Sequence, residues 1–251
     1  MKFSIVTPTF NSADYVKETI QNIQAQTYQD FEHIVVDGAS TDGTVEILKN
    51  YPHLSCISEK DQGQSDAINK GFRLATGDIL AWQNADDLYF PDTFQTVKEF
   101  FCEHPNVDVV YGDYQLIDSD GQWLVDVHPI QWSRWLFAHG RFVPLQPTVF
   151  WRRRVYEAIG ELDESLHYCM DVDFFARASK QFSFARIPAM LGKFRVHLDS
   201  KTQNRTNQRQ VYLEHKQILS QHFYYTWLDS WLFNLFYYRA RLVRKIKSRQ
   251  L

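Results

Sequence analysis

The order of elements along the chain predicts an α/β fold, with a mostly parallel central sheet flanked by helices and a C-terminal helical extension. Two observations carry this expectation. Short apolar runs of strand composition alternate with segments of helical spacing, and each of the first four runs is followed by a polar cluster, two of them glycine-bearing. Such alternation implies βαβ crossovers, right-handed at each step, and a parallel sheet brings all its strand ends to one edge.

Taken in order, Phe3 to Val6 is the first strand, and Asn11 or Ser12 is placed to cap a helix whose apolar residues Tyr15, Val16, Ile20 and Ile23 recur at helical spacing. Phe31 to Val36 is a β-rich second strand, after which Val45, Ile47 and Leu48 suit a helix. Leu54 to Ser58 is a third strand, Ser65 to Leu74 a third helix and Asp78 to Trp82 a fourth strand. A helix follows from Pro91 to Glu103, then a strand from Val107 to Tyr111. The aromatic and polar stretch to Val149 is less periodic, as acceptor-binding loops on a rigid scaffold often are. Helices at Arg153 to Ile159 and Val172 to Ser179, and strands at Phe184 to Ile187 and Leu191 to Val196, complete the pattern.

Composition narrows the class. The 251 residues are 44% hydrophobic and 23% charged, enough to bury a sizeable core, and a net charge of -3 gives no general pull towards nucleic acid. Cys56, Cys102 and Cys169 are odd in number and far apart, so they form neither a disulfide framework nor a CxxC site; a reducing, cytoplasmic setting is expected. The apolar start, Met1 to Pro8, is too short for a signal peptide and reads as a strand. No run reaches the roughly 18 apolar residues of a membrane span.

Thr7-Pro8-Thr9-Phe10-Asn11, Asp37-Gly38-Ala39-Ser40, Asp61-Gln62-Gly63-Gln64-Ser65-Asp66 and Asn84-Ala85-Asp86-Asp87 each follow a predicted strand. Each alone is also a good turn sequence. In a parallel sheet they converge on one crevice, where open α/β sheets bind ligands. Asp37 can accept hydrogen bonds from a base or a ribose, and Gly38, Gly43 and Gly63 allow close backbone approach. The hard oxygens of the Asn84-Ala85-Asp86-Asp87 turn suit Mg²⁺ or Mn²⁺, ions usually held by one or two carboxylates and substrate phosphates.

These clusters, in this order and spacing, resemble the family 2 glycosyltransferases of GT-A fold. The resemblance runs through Gln146-Pro-Thr-Val-Phe-Trp-Arg-Arg, Gly160-Glu-Leu-Asp-Glu, Met170-Asp171-Val-Asp173-Phe-Phe-Ala-Arg177 and Phe194-Arg-Val-His197, covering roughly residues 1–200. It implies a glycosyltransferase domain over 1–200, with a nucleotide-binding half at 1–112 and an acceptor-binding half at 113–200, and leaves 201–251 as an extension. It also implies an inverting transfer from a nucleotide sugar, commonly a UDP-sugar, to a hydroxyl of a sugar or lipid-linked acceptor in cell-surface polysaccharide or glycolipid synthesis.

By the same resemblance, Thr7, Pro8 and Thr9 line the nucleotide, Asp37 meets the base, and Asp61 lies near the base and ribose. Asn11, Gly38, Ser40, Gln64, Asp66 and Ala85 complete the donor site. Asn84 and Asp86 match the ends of the Asp-x-Asp metal motif, Asp86 being the better direct ligand for Mn²⁺ or Mg²⁺, and His197 is a further candidate ligand. Lys201 or Arg195 is the alternative partner of the diphosphate. Asp171 matches the catalytic base, with Met170 standing where the motif has glutamate; the bland reading of Asp171 is an N-cap. Asp173 is read as a supporting or acceptor-side residue and Arg177 as a structural ion-pair partner.

An inverting displacement needs one base and a stabiliser of the leaving charge, and no acid. Two other classes compete: a nucleotidyltransferase, and a silent nucleotide-sugar binding protein. The first expects a glycine-rich basic loop after the first strand, which Thr7 to Asn11 is not; the second fits poorly with a retained Asp171. The tail from Tyr224 to Leu251 joins aromatics such as Trp227 and Trp231 to Arg239, Arg241 and Arg244. It suits either an interfacial helix giving peripheral attachment at the inner face of the plasma membrane, or a helix packed on protein.

Overall fold

Strand β1 (Phe3–Thr9) is buried along its whole length and pairs in parallel with β2 (Phe31–Asp37) on one side and β4 (Ile79–Trp82) on the other. The coordinates come from a computed structural model, in which residues 1–197 and 207–223 are described. Lys201 and the segment Tyr224 to Leu251 lie outside the described residues. Beyond β2 lies β3 (Ser55–Ser58), again parallel. Helices α1 (Val16–Gln24), α2 (Thr44–Leu48) and α3 (Gln64–Leu74) make the crossovers expected of this pattern.

Two-residue periodicity decides which helix covers which face. Val6, Ile34, Val36, Leu80 and Trp82 share one apolar layer with Ile68 and Phe72 of α3, whereas Phe3, Ile5 and Ile79 face Ile23 of α1 and Phe94, Val97 and Phe101 of α4 (Thr93–Glu103). In a parallel sheet buried on both faces the strands must read as near-continuous apolar runs, which is how the sequence betrays them.

The second half changes the hand of the pairing. β8 (Phe150–Arg152) runs antiparallel to β4 and to β6 (Val109–Ile117), and β6 pairs in parallel with the long β9 (Phe184–Arg195). β5 (Leu88–Tyr89) pairs antiparallel with β9, and β7 (Trp123–Val127) with β6. The resulting sheet has order β3-β2-β1-β4-β8-β6-β9-β5, with β7 on β6. Its parallel ladders are the longer ones. Between them run α5 (Arg134–Ala138), a 3-10 turn at Gln146–Thr148, α6 (Arg153–Ile159), α7 (Met170–Ala178) and α8 (Gln208–His222). No helix among the described residues is long and apolar enough to cross a membrane.

Several boundaries differ from expectation for identifiable reasons. β1 continues through Thr7-Pro8-Thr9. Val6 O accepts the Gln83 N–H and Thr9 O accepts the Gly38 N–H, so alternate residues face opposite neighbours and Pro8 faces the side where β4 has already ended. A proline is tolerated in a central strand only at such a place. The segments read as two strands, Phe184 to Ile187 and Leu191 to Val196, are one strand whose register with β6 shifts around Asp113, next to Pro188. Neither Asn11 nor Ser12 caps α1: the Ser12 hydroxyl turns back to Phe10, the Asn11 side chain accepts the Thr41 N–H at 3.0 Å, and the helix begins at Val16. α7 starts at Met170, which puts Asp171 inside its first turn. The helix Gln208–His222 packs on α7, with Ile218 in the main core, so this part of the 201–251 extension shares the body of the domain.

Candidate active site

The strand order 3-2-1-4 reverses direction between β1 and β4, and the carboxyl ends of those two strands open into a crevice of about 950 Å³. The start of α3 and the segments 143–147 and 167–171 form its other walls. From the donor set read in sequence, Pro8, Thr9, Asn11, Gly38, Asp61 and Gln64 line it. Asn84, Ala85, Asp86, Asp171 and His197 line it as well, so the turn after β4, the candidate base and the histidine lie on one crevice. Thr7, Asp37, Ser40 and Asp66 sit behind the wall.

Asp37 shows what that means. It is fully buried, and its carboxylate accepts from Thr9 Oγ1 at 3.1 Å, Ser40 Oγ at 2.5 Å, the Ser40 N–H at 3.0 Å and Ser58 Oγ at 2.8 Å. Both oxygens are thereby committed, and the carboxylate acts as the knot of three strand ends. Ser40 Oγ also accepts the Asn11 N–H at 2.8 Å, which fixes the loop in which Asn11 and Ala39 adopt φ of 48° and 62°. Backbone of this kind is costly for residues other than glycine and persists where neighbours over-determine it. Thr7 Oγ1 is paired with His33 Nε2 at 2.9 Å inside the core. Asp66 accepts the Gln62 N–H and pairs with Lys70, shaping the turn before α3. Asp61 is half-buried against Gly38: a Cβ there would stand 2.5 Å from Asp61 Oδ2.

The turn after β4 is held by side-chain amides. Asn84 Oδ1 accepts from Gln64 Nε2 at 2.9 Å, its amide donates to Asp87 Oδ2 at 3.1 Å, and Gln146 Nε2 donates to Trp82 O at 2.6 Å. Asp87 is fully buried, takes the Arg195 N–H at 2.9 Å, and is held well above the usual carboxylate range by burial and by its neighbour Asp86. Asp86 alone of the turn's carboxylates faces the crevice; its Oδ2 lies 2.9 Å from His197 Nε2. The His197 ring packs beside Tyr15, and its Nδ1 is buried without a hydrogen-bond partner.

Arg195, one of the two alternatives for the diphosphate, is spoken for. Its guanidinium donates to Asp86 O, Ser119 O and Glu18 Oε2, stacks over Tyr15 and is 2% exposed. It braces the metal turn from behind. Asp86 and His197 are a donor set that fits a divalent cation when phosphates fill the remaining positions. Among the described residues no group of three or more His, Cys, Asp or Glu forms a cage without such help.

Asp171 sits half-buried at the crevice wall. Burial pushes its carboxyl up to about 6, against the opposing effect of the Val172 N–H, which Oδ1 accepts at 2.8 Å. One oxygen is thus used in the helix and the other remains. Asp173, two residues on, points away: it pairs with Arg177 at 2.8 Å and with His222 Nε2 at 2.7 Å. Tyr114, Leu145, His167 and Tyr168 also line the crevice, and nothing in the sequence singles them out, because their signal is only that of ordinary apolar or loop residues.

Comparison with known proteins follows the geometry. The sequence model of the family described as "Glycosyl transferase family 2" matches residues 4–157. An uncharacterized glycosyltransferase of Rickettsia typhi is 32% identical over 83% of this chain and 68% of its own. A PGL/p-HBAD biosynthesis glycosyltransferase of Mycobacterium bovis is 34% identical over 70% of this chain and 68% of its own. Among solved structures, S. aureus TarS 1-349 in complex with UDP aligns with a TM-score of 0.67 at 21% identity, over 88% of this chain and 65% of that one. The mannosyltransferase PcManGT from Pyrobaculum calidifontis, in complex with GDP-Man and Mn²⁺, aligns with a TM-score of 0.67 at 20% identity, over 92% and 72%.

Proposed function

The chain belongs to glycosyl transferase family 2 and has its GT-A fold, and on that premise we propose that it is an inverting enzyme moving a sugar from a nucleoside diphosphate donor to an acceptor hydroxyl. The observation that carries the proposal is the presence of Asp171 and Asp86 in the wall of one crevice, each with an oxygen left uncommitted by the backbone. Complexes of fold neighbours with UDP, UDP-GlcNAc and GDP-Man support a nucleotide-sugar donor, of which a UDP-sugar is our first choice. The Thr7 to Asn11 segment carries no basic side chain, so nothing favours nucleotidyl transfer.

In this reading the donor's nucleoside lies along Pro8, Thr9, Gly38 and Asp61, and the acceptor lies by Tyr168, Met170 and Leu145. The acceptor oxygen bonds to the anomeric carbon as the bond to the diphosphate breaks. Its proton passes to Asp171, and the bonding electrons leave with the nucleoside diphosphate. A carboxyl with a pKa near 6 is ionised at neutral pH yet close enough to it to accept that proton well. Asp86 and His197 would hold a divalent metal, which when bound supplies Lewis-acid neutralisation of the leaving charge. Mn²⁺ in a fold neighbour and the imidazole in the donor set favour Mn²⁺ over Mg²⁺. The apolar acceptor wall suits a sugar or lipid-linked acceptor in cell-surface glycan synthesis.

Asp171→Asn tests the mechanism. Turnover should fall by roughly a hundredfold or more while donor affinity stays near wild type, the mark of a lost base. NMR of the product should show the anomeric configuration inverted. Near-normal turnover in the variant, or a retained configuration, rejects the proposal.

A further inference from the structure

The site loop that leads into α7 is held from outside the family-matched segment. Glu214, in the middle of α8 and 6% exposed, accepts the N–H groups of Tyr168 at 2.9 Å, Cys169 at 3.2 Å and His167 at 3.4 Å. The residue at the N-cap of α7, Cys169, offers no side-chain cap of its own. The first backbone donors of a helix and of the turn before it need such an acceptor, and a carboxylate there also suits the helix dipole. Two more contacts clamp the same pair of helices: His222 reaches Asp173, and Cys169 Sγ meets Val211 O at 3.5 Å. Val211, Glu214, Ile218 and His222 recur at helical spacing, so one face of α8 is turned to α7.

From this we infer that Glu214 is a positioning residue for the catalytic base: it fixes the 167–169 loop so that Asp171 keeps one oxygen turned to the crevice, and α8 is a working part of the active site. The inference rests on the reading of Asp171 as base. If the loop were not tied to Glu214, the Asp171 carboxyl would have to serve as the only anionic cap of its helix, as the bland reading of the sequence has it. Instead a second carboxylate caps the turn, and Asp171 need give up only one oxygen, to Val172.

The ionisable groups around the base are few. His167 and Cys169 flank it on the loop, the latter's thiol raised by burial and by Asp171. On α7, Asp173 is engaged by Arg177 and His222. On α8, burial holds His215 down to about 4, so it carries no charge at neutral pH. Glu214 therefore acts on the base through the 167–169 loop that it holds, and the Asp61 and Asp86 carboxylates across the crevice stay unchanged in the test.

The experiment compares full-length wild type, Glu214→Ala and Glu214→Gln for kcat against pH, acceptor KM, affinity for UDP and melting temperature. In Glu214→Ala kcat should fall about fivefold or more with UDP affinity intact. Its acidic limb should move down by about half a pH unit, because the base relaxes into water and loses part of the desolvation that raises it. Glu214→Gln keeps an acceptor oxygen and should recover most of kcat while retaining part of the shift. A lower melting temperature with kcat and the limb unmoved overturns the inference, as does a loss of UDP affinity in step with kcat. If Glu214→Ala does not fold, an unmoved limb in Glu214→Gln overturns it alone. A wild-type limb absent from the region of pH 6 removes Asp171 and the inference together, whereas a limb present but unmoved removes only Glu214.

Discussion

The two halves of the crevice hold their carboxylates in opposite ways. On the nucleotide side Asp37 is sealed, its oxygens spent on Thr9, Ser40 and Ser58, and it works as a fastener of strand ends. On the acceptor side Asp171 is half-open, with one oxygen committed and its pKa pushed up to about 6. A saturated carboxylate stabilises the charged form and the fold; a desolvated one costs stability and gains reactivity. On the proposed reading, the donor half is thus fastened around Asp37, and the acceptor half keeps a carboxylate with an uncommitted oxygen at the crevice wall.

The comparison can be broken most forcefully at the fastener. Asp37→Asn leaves buried hydroxyl and amide donors facing an amide that can satisfy only some of them, and should cost about 2–4 kcal/mol by denaturant titration, with weaker UDP binding following from the loosened loop. If affinity for UDP falls while stability holds, Asp37 touches the base directly and the contrast drawn here fails. The opposite sign is expected at the base. Its folded pKa of about 6 lies above the ordinary aspartate value of 3.8, so the native state binds the proton more tightly, and the stabilisation is present at acid pH and is lost as pH rises through 6. Asp171→Asn should then raise stability at pH 8 by about 1–3 kcal/mol and change it little at pH 4. A variant less stable than wild type at pH 8 contradicts this.

Smaller effects sharpen the picture within the donor half. Asp86→Ala should remove the metal-dependent part of donor affinity, about tenfold or roughly 1.4 kcal/mol, with the melting temperature kept; calorimetric titration of UDP with and without Mn²⁺ decides it. Gly38→Ala pushes a methyl against Asp61 Oδ2 and should weaken UDP by only a few-fold, under about 1 kcal/mol, because a carboxylate tip can swing aside. Unchanged affinity there would mean that Asp61 does not bear on the nucleotide.

How legible these halves were follows the same division. The donor half announces itself because each apolar strand is followed directly by its own polar turn, so Asp37, Asp61 and Asp86 could be placed from local order. What could not be read is which carboxylates face inward: Asp37 and Asp86 occupy equivalent strand ends, and only the positions of Ser58 and of His197 separate them. In the acceptor half the informative contacts span long separations. Gln146 braces Trp82 across 64 residues, Arg195 reaches Glu18 across 177, and Glu214 grips Tyr168 across 46. No periodicity records such partners. Asp87 stood in the same cluster as Asp86 and was passed over for the same reason, since its role depends on β9 arriving beside it.

Pro8 gives the open end of β1 one more property. Its nitrogen faces the side that β4 has vacated, and it has no hydrogen to offer there. An unpaired strand margin inside a cleft is an invitation to a stray peptide, which would zip on as an added strand. With the donor missing, an added strand would lose a ladder hydrogen bond at Pro8, which disfavours pairing at this open margin.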